Sequence, residues 1–211
     1  MPKVLIADNI SDVVCEIFDT NNIEYEKKVG LSEDELSAEI KGYDGLLIRS
    51  AVTVTKKIIE SSDNLKVIGR PGVGVDNVDL QASSEKNIVV MNTPLGNVQA
   101  TAELTFGIIH SLMRKIHIAN SSMHNKKWEK KKLIGNELLG KNIAIIGFGN
   151  IGKKVADFAK AYGMNIIVVS ETASSGDVDY LNAKVMKFDD MLSEADIITF
   201  HNKLSEKSKY I

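Results

Sequence analysis

Short apolar runs alternate with longer amphipathic stretches along the first half of the chain. Strands are predicted at residues 4–7, 23–25, 45–48, 65–68 and 88–91, and helices from residue 11, over 55–61 and over 79–86. Ser32 and Glu35 form a Ser-x-x-Glu capping box, which predicts the start of one more helix. Short apolar strands separated by helices are typical of parallel βα units.

Pro94 interrupts this alternation. The longest predicted helix follows it over about residues 97–125, with apolar residues at Leu104, Ile108, Leu112 and Ile116. A second alternating set has strands predicted at 143–146, 166–169, 184–188 and 196–200, and helices at 151–161 and 189–194. The predicted fold class is therefore α/β, in two units with a boundary near residues 93–96. We expect one domain over residues 1–95 and another over 96–211.

Composition and charge narrow the classes of protein that this pattern allows. Hydrophobic residues make up 44% and charged residues 26% of the chain, which excludes a mainly disordered protein. With 26 Lys and Arg against 28 Asp and Glu, the net charge of −2 favours neither nucleic acid nor an anionic membrane as partner. No apolar run approaches the ~20 residues of a membrane span. The single cysteine, Cys15, suits a reducing compartment, so a cytoplasmic protein is expected.

Two local patterns resemble a nucleic-acid site and a metal site, but neither is predicted to bind a ligand. The lysine-rich segment 126–132 is predicted to be a solvated connection, because the near-neutral charge argues against a wider basic surface. His110, His117 and His124 recur every seven residues on the long predicted helix. Seven residues rise about 10 Å, so no two of these histidines share a metal ion and no metal site is predicted.

The most informative segment is the glycine-rich stretch after the strand predicted at 143–146. It reads Gly147-Phe148-Gly149-Asn150-Ile151-Gly152 and opens a predicted helix, which is the context of a dinucleotide-binding fingerprint. In that fingerprint Gly147 permits the tight turn, Gly149 lets the backbone approach a pyrophosphate, and Gly152 lets helix and strand pack closely. The pyrophosphate would lie at the helix N-terminus. All six residues are predicted to bind a nucleotide cofactor; the alternative is a tight turn without a ligand.

The fingerprint normally continues, about 20 residues further on, with an acidic residue that binds the adenosine ribose. Here Ser170 occupies that position and Glu171 follows it, so both are candidate cofactor contacts. No Arg or Lys follows nearby to receive a 2′-phosphate. NAD is therefore predicted in preference to NADP.

Five segments together resemble the D-2-hydroxyacid dehydrogenase family, and within it the branch that acts on 3-phosphoglycerate in serine biosynthesis. They are residues 47–51, 67–79, 92–97, 102–105 and 147–152, in the family's order and spacing. The resemblance implies a flavodoxin-like substrate domain and a Rossmann domain that binds NAD. It implies an oxidoreductase that transfers a hydride between NAD and C2 of a 2-hydroxy acid. It also implies a homodimer formed through the Rossmann domain, with the long predicted helix as a candidate element.

The resemblance also assigns candidate contacts. It carries Arg49, Ser50 and the backbone of Val73 and Gly74 to the substrate carboxylate, which an Arg fork and the N–H groups of a glycine-rich loop are suited to bind. From the residues alone, Arg49 also fits a surface ion pair, and the loop a plain turn. His201 ends the last predicted strand and is expected beside the cofactor, although the family's apolar residue and Pro do not follow it.

The family's catalytic Arg, Glu and His lie downstream of the fourth Rossmann strand, and no position of this sequence matches them. No catalytic residue is therefore assigned. We expect a Rossmann domain that is incomplete at its C-terminal end and a 211-residue chain without turnover of its own. The alternative is a non-catalytic relative that binds a nucleotide or a partner subunit.

Overall fold

The structure, a computed structural model, describes residues 1–205 and 208–209. Two compact units make up the chain, Met1–Asn97 and Val98–Ile211, so the division falls two residues beyond the boundary predicted between 95 and 96. Each unit is an α/β fold built on a parallel sheet. Within the described part of the chain, no helix is both long and apolar enough to cross a lipid bilayer.

The first unit is a parallel sheet with helices between its strands. Its strands are β1 (Lys3–Ile6), β2 (Glu24–Lys27), β3 (Gly45–Leu47), β4 (Val67–Arg70) and β5 (Val89–Asn92), and its helices are α1 (Val13–Thr20), α2 (Glu33–Glu39), α3 (Lys56–Ser61) and α4 (Leu80–Glu85). The strands lie in the order β2-β1-β3-β4-β5 and pair in parallel. This is the order of flavodoxin-like folds, in which the direction of travel across the sheet reverses after β1 and β2. The predicted flavodoxin-like fold is confirmed.

The core of the first unit lies between one face of this sheet and the helices α2, α3 and α4. Leu5, Leu46 and Ile68 come from neighbouring strands and are almost wholly buried. They share one apolar cluster with residues of the three helices: Leu36, Ile58, Ile59 and Ala82. Burying a Leu or Ile side chain contributes about 1.5–3 kcal/mol, so this cluster fixes the strands and hence the loops that leave their carboxyl ends.

The capping box predicted at the start of α2 is present. The Ser32 hydroxyl accepts the Glu35 N–H at 3.3 Å, and the Glu35 carboxylate accepts the Ser32 N–H at 2.8 Å. These bonds use N–H groups that would otherwise lack a partner at the start of the helix. The hydroxyl and N–H of Ser32 also hold the pKa of Glu35 below its ordinary value.

The second unit is also a parallel sheet with helices. Its strands are β6 (Asn142–Ile146), β7 (Asn165–Val169), β8 (Lys184–Val185) and β9 (Ile197–Phe200), and its helices are α5 (Val98–Met113), α6 (Ile116–His124), α7 (Asn150–Ala161), α8 (Ser175–Val178) and α9 (Phe188–Met191). The order β8-β7-β6-β9 is that of the first four strands of a doubly wound dinucleotide-binding sheet, 3-2-1-4. The predicted Rossmann-type parallel sheet is confirmed.

Apolar clusters cover both faces of the second sheet. On one face Ile143 and Ile145 join a cluster with Phe106 of α5 and Val155 of α7. On the other face a smaller cluster joins strand residues to α9: Ala144, Ile146, Ile167 and Met191. The start of α7 is thereby held against the carboxyl end of β6, where the glycine-rich turn lies.

The long helix predicted over 97–125 is instead two helices, α5 and α6. Lys115 between them has a left-handed backbone, with a φ of +52°. Downstream residues hold the break: the Asn136 N–H donates to the Met113 carbonyl at 2.8 Å, and Gly135 lies so close that a Cβ there would overlap this carbonyl. A contact between distant parts of the chain gives no local signal in the sequence.

The buried face of α5 is not the one marked by the apolar residues noted in the sequence. Three residues of α5 are buried: Ala102, Phe106 and Ile109. Four residues of the predicted long helix are at least 50% exposed: Leu104, Ile108, Leu112 and Ile116. The break also divides the three evenly spaced histidines between two helices, with His110 in α5 and His117 and His124 in α6.

The strand predicted at 184–188 is shorter in the structure. β8 ends at Val185, and the last bond to its neighbour runs from the Met186 N–H to the Val168 carbonyl at 3.0 Å. Lys187 is then the N-cap of α9, so Phe188 begins a helix and does not end a strand.

Candidate substrate and nucleotide sites

The carboxyl ends of β1, β3 and β4 lie side by side at one edge of the first sheet. Asp8 follows β1, Arg49 and Ser50 follow β3, and the loop 72–74 follows β4. Because β3 pairs in parallel with both β1 and β4, these segments are neighbours. Ligands of open α/β sheets bind at this edge, beside the point where the strand order reverses, which in this order lies between β1 and β3.

Arg49 is exposed, and its main chain is held on both sides. Its N–H donates to the Asp8 carboxylate at 2.9 Å, and its carbonyl accepts the Asn77 side-chain amide at 2.6 Å. Among the described residues its guanidinium has no ion-pair or hydrogen-bond partner, so the surface ion pair considered from the sequence is not formed. Ser50 beside it is also exposed. A fixed main chain with a free guanidinium suits a carboxylate, which Arg binds through two parallel N–H bonds.

The loop after β4 has its carbonyls bonded to the protein. Three successive carbonyls accept protein donors: Gly72 from the Thr93 N–H at 3.0 Å, Val73 from the Asn92 side-chain amide at 2.7 Å, and Gly74 from the Arg70 guanidinium. The N–H groups of Val73 and Gly74 donate to none of the residues that the structure describes. Successive main-chain N–H groups without a protein acceptor are suited to bind an anion.

Gly72 and Gly74 bring this loop close to side chains. A Cβ on Gly72 would lie 2.6 Å from the guanidinium of Arg70, and one on Gly74 would lie 2.6 Å from the carboxylate of Asp76. Both neighbours are the ends of side chains that can move. Side-chain hydrogen bonds, more than contact between main chains, therefore shape the loop.

Sequence analysis did not identify the residues that hold these loops, which are Asp8, Arg70, Asn77 and Asn92. Their bonds join distant positions: Asp8 and Arg49 are 41 residues apart, and Asn77 and Arg49 are 28 apart. One signal was available, because Asp8 is the first charged residue after the apolar run of β1. In parallel α/β folds, the ligand site lies outside the carboxyl ends of the strands.

The glycine-rich turn 147–152 joins β6 to α7, and contact between main chains builds it. Gly147 has a φ of +92°, a conformation that favours glycine. A Cβ on it would lie 2.5 Å from the nitrogen of Asn202 and 2.7 Å from the carbonyl carbon of His201, so the end of β9 lies directly against the turn. On Gly152 a Cβ would overlap the carbonyl oxygen of Gly147. Neither glycine leaves room for a side chain.

Gly149 differs from the other two glycines of the turn. Its φ of −79° is open to any residue, and a Cβ built on it would meet nothing within 4 Å. The packing of the described residues therefore does not require glycine here. Gly149 is also the N-cap of the 12-residue helix α7, and it has no side chain with which to cap the helix. Open space at the positive end of a helix fits a pyrophosphate, and a Cβ would enter that space.

The other residues of the turn divide between core and surface. The ring of Phe148 is buried, and Ile151 packs against the same apolar cluster. Their side chains support the fold, so their main chains are the parts available to a ligand. Asn150 is exposed in the first turn of α7.

Ser170 and Glu171 follow β7, and the structure gives them different roles. The Ser170 hydroxyl oxygen accepts the N–H groups of Thr172 and Ala173, both at 3.2 Å. It therefore caps its own turn. Glu171 is exposed beside it, so its carboxylate is the more accessible acceptor at the end of β7.

His201 is half-buried at the end of β9, next to the glycine-rich turn. Its N–H donates to the Ile146 carbonyl at 2.7 Å, and its ring Nε2 lies 2.9 Å from the Thr199 hydroxyl. Burial lowers the pKa of the imidazole, which is therefore mostly neutral at pH 7. The ring thus supplies a neutral polar group beside the turn.

Residues 4–194 match the profile of a protein family described as "D-isomer specific 2-hydroxyacid dehydrogenase, catalytic domain". The chain is similar to curated D-3-phosphoglycerate dehydrogenases, being 39% identical over 199 residues to that of Archaeoglobus fulgidus and 40% identical over 202 residues to that of Homo sapiens. These alignments cover 94% and 96% of this chain but 38% of each relative. The chain therefore spans under two fifths of the length of these relatives.

The fold is also similar to solved structures. The TT0316 protein of Thermus thermophilus matches with a TM-score of 0.87 and 28% sequence identity. The match covers 97% of this chain and 66% of that protein's chain.

Proposed function

Because this chain belongs to the D-isomer specific 2-hydroxyacid dehydrogenase family, we propose that it serves NAD-dependent hydride transfer to and from C2 of a 2-hydroxy acid. The first unit would bind the acid, and the second unit the dinucleotide. One observation carries the proposal: the open space at Gly149, a glycine that the packing of the described residues does not explain. Since the chain spans 38% of the relatives' length, the activity of the whole protein is part of the proposal.

NAD is the proposed cofactor, and the turn 147–152 is its proposed pyrophosphate site. Main-chain N–H groups and the helix dipole at the start of α7 would stabilise the phosphate charges. Glu171 is proposed to accept hydrogen bonds from the adenosine ribose, because the Ser170 oxygen already caps its own turn. A carboxylate at that place repels a 2′-phosphate, which supports NAD over NADP. When bound, the cofactor supplies the hydride chemistry that protein side chains lack.

His201 is proposed as a neighbour of the cofactor and not as the proton donor. Its position against Gly147 supports this assignment.

The carboxylate of the acid is proposed to bind at the edge of the first sheet. The N–H groups of Val73 and Gly74 and the guanidinium of Arg49 are the donors, with Ser50 beside them. These groups would orient the acid and stabilise its negative charge. The names of the curated relatives support 3-phosphoglycerate as the substrate.

A homodimer formed through the second unit is part of the proposal. Leu104, Ile108 and Leu112 recur every four residues along α5, and each is at least 60% exposed. Such a strip of apolar surface on a helix marks an interaction site. Sedimentation velocity should therefore detect a dimer, and a monomer at high concentration would contradict this part.

The free Cys15 thiol supports a reducing compartment, and the cytoplasm is the proposed location.

Calorimetric titration of NAD into the wild-type chain and a Gly149→Ala variant tests the proposed cofactor site. The added methyl group enters the open space without touching the protein. We expect NAD affinity to fall at least about tenfold, while the unfolding midpoint falls by only about a few degrees, because alanine is a poorer N-cap than glycine. Gly107→Ala is the matched control, because a Cβ on Gly107 also meets nothing within 4 Å but lies on α5. Equal NAD affinity in the two variants would contradict the site.

The reaction itself is tested by NADH oxidation with 3-phosphohydroxypyruvate and a panel of small 2-oxo acids. The assay is run on this chain and on any longer form of the protein. Turnover in either form supports the oxidoreductase. Binding of NAD without turnover in all forms favours the non-catalytic alternative.

A further inference from the structure

Asp8 is a buried carboxylate whose two oxygens bind main-chain N–H groups. The residue is 5% exposed and lies at the carboxyl end of β1. One oxygen accepts the N–H of Arg49 at 2.9 Å and of Ala51 at 3.0 Å, and the other accepts the N–H of Asn9 at 2.7 Å. No Lys or Arg among the described residues pairs with it. A buried carboxylate is tolerated in this state because the N–H groups replace its lost hydration.

Asn77 holds the same segment from the other side. Its amide nitrogen donates to the carbonyls of Arg49 and Val52, both at 2.6 Å. Asp8 thus binds the N–H groups of Arg49 and Ala51, and Asn77 binds the carbonyls of Arg49 and Val52. Hydrogen bonds therefore hold both the N–H groups and the carbonyls of this segment. The guanidinium of Arg49, in contrast, has no partner among the described residues.

We propose that Asp8 is a positioning residue for the substrate. It fixes the main chain of residues 49–51, so that Arg49 and Ser50 meet the substrate carboxylate in one geometry. The inference rests on the proposed function, because it takes this edge of the sheet as the acid-binding site. Asp8 acts through the main chain of Arg49 and does not contact the acid, whose negative charge its own carboxylate would repel.

Asp44 provides a matched control at the opposite edge of the same sheet. It precedes β3, accepts the Lys3 N–H at 3.0 Å and pairs with the Lys66 amine at 2.8 Å. Like Asp8, it joins β1 to the segment around β3, but at the amino ends of the strands. Its removal should weaken the fold without changing the loops that carry Arg49 and Gly74.

The test is a ¹H–¹⁵N NMR titration of the full chain with 3-phosphoglycerate, following the amides of Val73 and Gly74. Asp8→Ala should raise the dissociation constant at least about tenfold, because the Arg49 segment is released. Asp8→Asn should stay within about threefold of wild type, since its carbonyl oxygen can still accept the N–H groups of Arg49 and Ala51, and only the Asn9 N–H loses its acceptor. Asp44→Ala should leave the dissociation constant unchanged.

The outcomes separate this inference from the proposed function. Equal affinity of wild type and Asp8→Ala would overturn the positioning role and leave the proposed function standing. An equal loss in Asp44→Ala would also overturn it, because the effect would then be general instability. If the wild-type chain binds no 3-phosphoglycerate or other 2-hydroxy acid, the proposed acid site fails and the inference fails with it.

Asn77→Ala keeps the inference testable if Asp8→Ala does not fold. This variant removes the hydrogen bond from the Asn77 amide to the Arg49 carbonyl and leaves the Asp8 bonds intact. A dissociation constant raised several-fold, with faster hydrogen exchange at the Arg49 amide, supports the positioning of this segment. Faster exchange at the Arg49 amide with an unchanged dissociation constant would contradict it, because a loosened segment would then bind the acid as well as a fixed one.

Discussion

The two units each carry a glycine-rich loop at the carboxyl end of a parallel strand, but the loops are built differently. In the second unit, Gly147 and Gly152 touch main-chain atoms, and there is no room for a side chain at either position. In the first unit, Gly72 and Gly74 touch the ends of side chains. The first loop is held by hydrogen bonds from Arg70 and Asn92, together with the Thr93 N–H.

The difference follows from where each loop must present its N–H groups. At the start of α7 the helix itself directs them, so close packing of helix, strand and turn is enough. No long helix follows the loop 72–74 directly. A separate protein donor binds each of its three carbonyls instead. We therefore expect the two loops to respond differently to the same substitution.

The largest effect is expected for Gly152→Ala. The new Cβ would overlap the Gly147 carbonyl oxygen, and neither main chain can move without separating α7 from β6. Overpacking a core costs typically about 1–3 kcal/mol, and we expect a loss of at least about 3 kcal/mol here. Urea unfolding measures it, with Gly107→Ala as control, which should be neutral or slightly stabilising. A loss under about 1 kcal/mol would remove the distinction between the loops.

A smaller effect is expected for Gly72→Ala in the first unit. Its Cβ would meet the Arg70 guanidinium, which can swing aside. The cost should be about 1 kcal/mol, close to that of one lost hydrogen bond from Arg70 to the Gly74 carbonyl. The same urea experiment reports it. A loss as large as that of Gly152→Ala would show that main-chain contact also builds this loop.

The smallest expected effect is a loss of stability at low pH, and the groups that cause it lie in the first unit. Hydrogen bonds from Lys3, Lys28 and the Tyr43 hydroxyl lower the pKa of Glu26 to about 2. Since the folded pKa lies below the unfolded value of about 4.3, this stabilisation is complete above that value and is lost as the pH falls toward 2. Tyr43→Phe should raise the pKa of Glu26 toward its ordinary range.

Carboxyl-carbon NMR titration of Glu26 in wild type and Tyr43→Phe checks this prediction. Glu129 of the second unit is the internal control, because Lys132 and Ser122 lower its pKa and Tyr43 is not involved. An identical Glu26 titration in both proteins would contradict the assigned cause.

The sequence predicts the features that depend on residues close together along the chain, and it fails for those that depend on distant residues. The strands, the capping box at Ser32 and the glycine-rich turn are local patterns, and both sheets follow from them. The break at Lys115 depends on Gly135, twenty residues away, and periodicity therefore predicts one unbroken helix. In the candidate acid site, sequence analysis proposed Arg49 but missed Asp8, because their bond joins two strand ends 41 residues apart.

The most direct test of the central claim is an amide map of NAD binding. In a ¹H–¹⁵N titration of the wild-type chain with NAD, we expect the largest shifts at residues 149–152 and none at residues 72–74 of the first unit. That result would assign the dinucleotide to the main-chain N–H groups at the start of α7. Shifts that are absent at 149–152, or equally large at 72–74, would contradict the account.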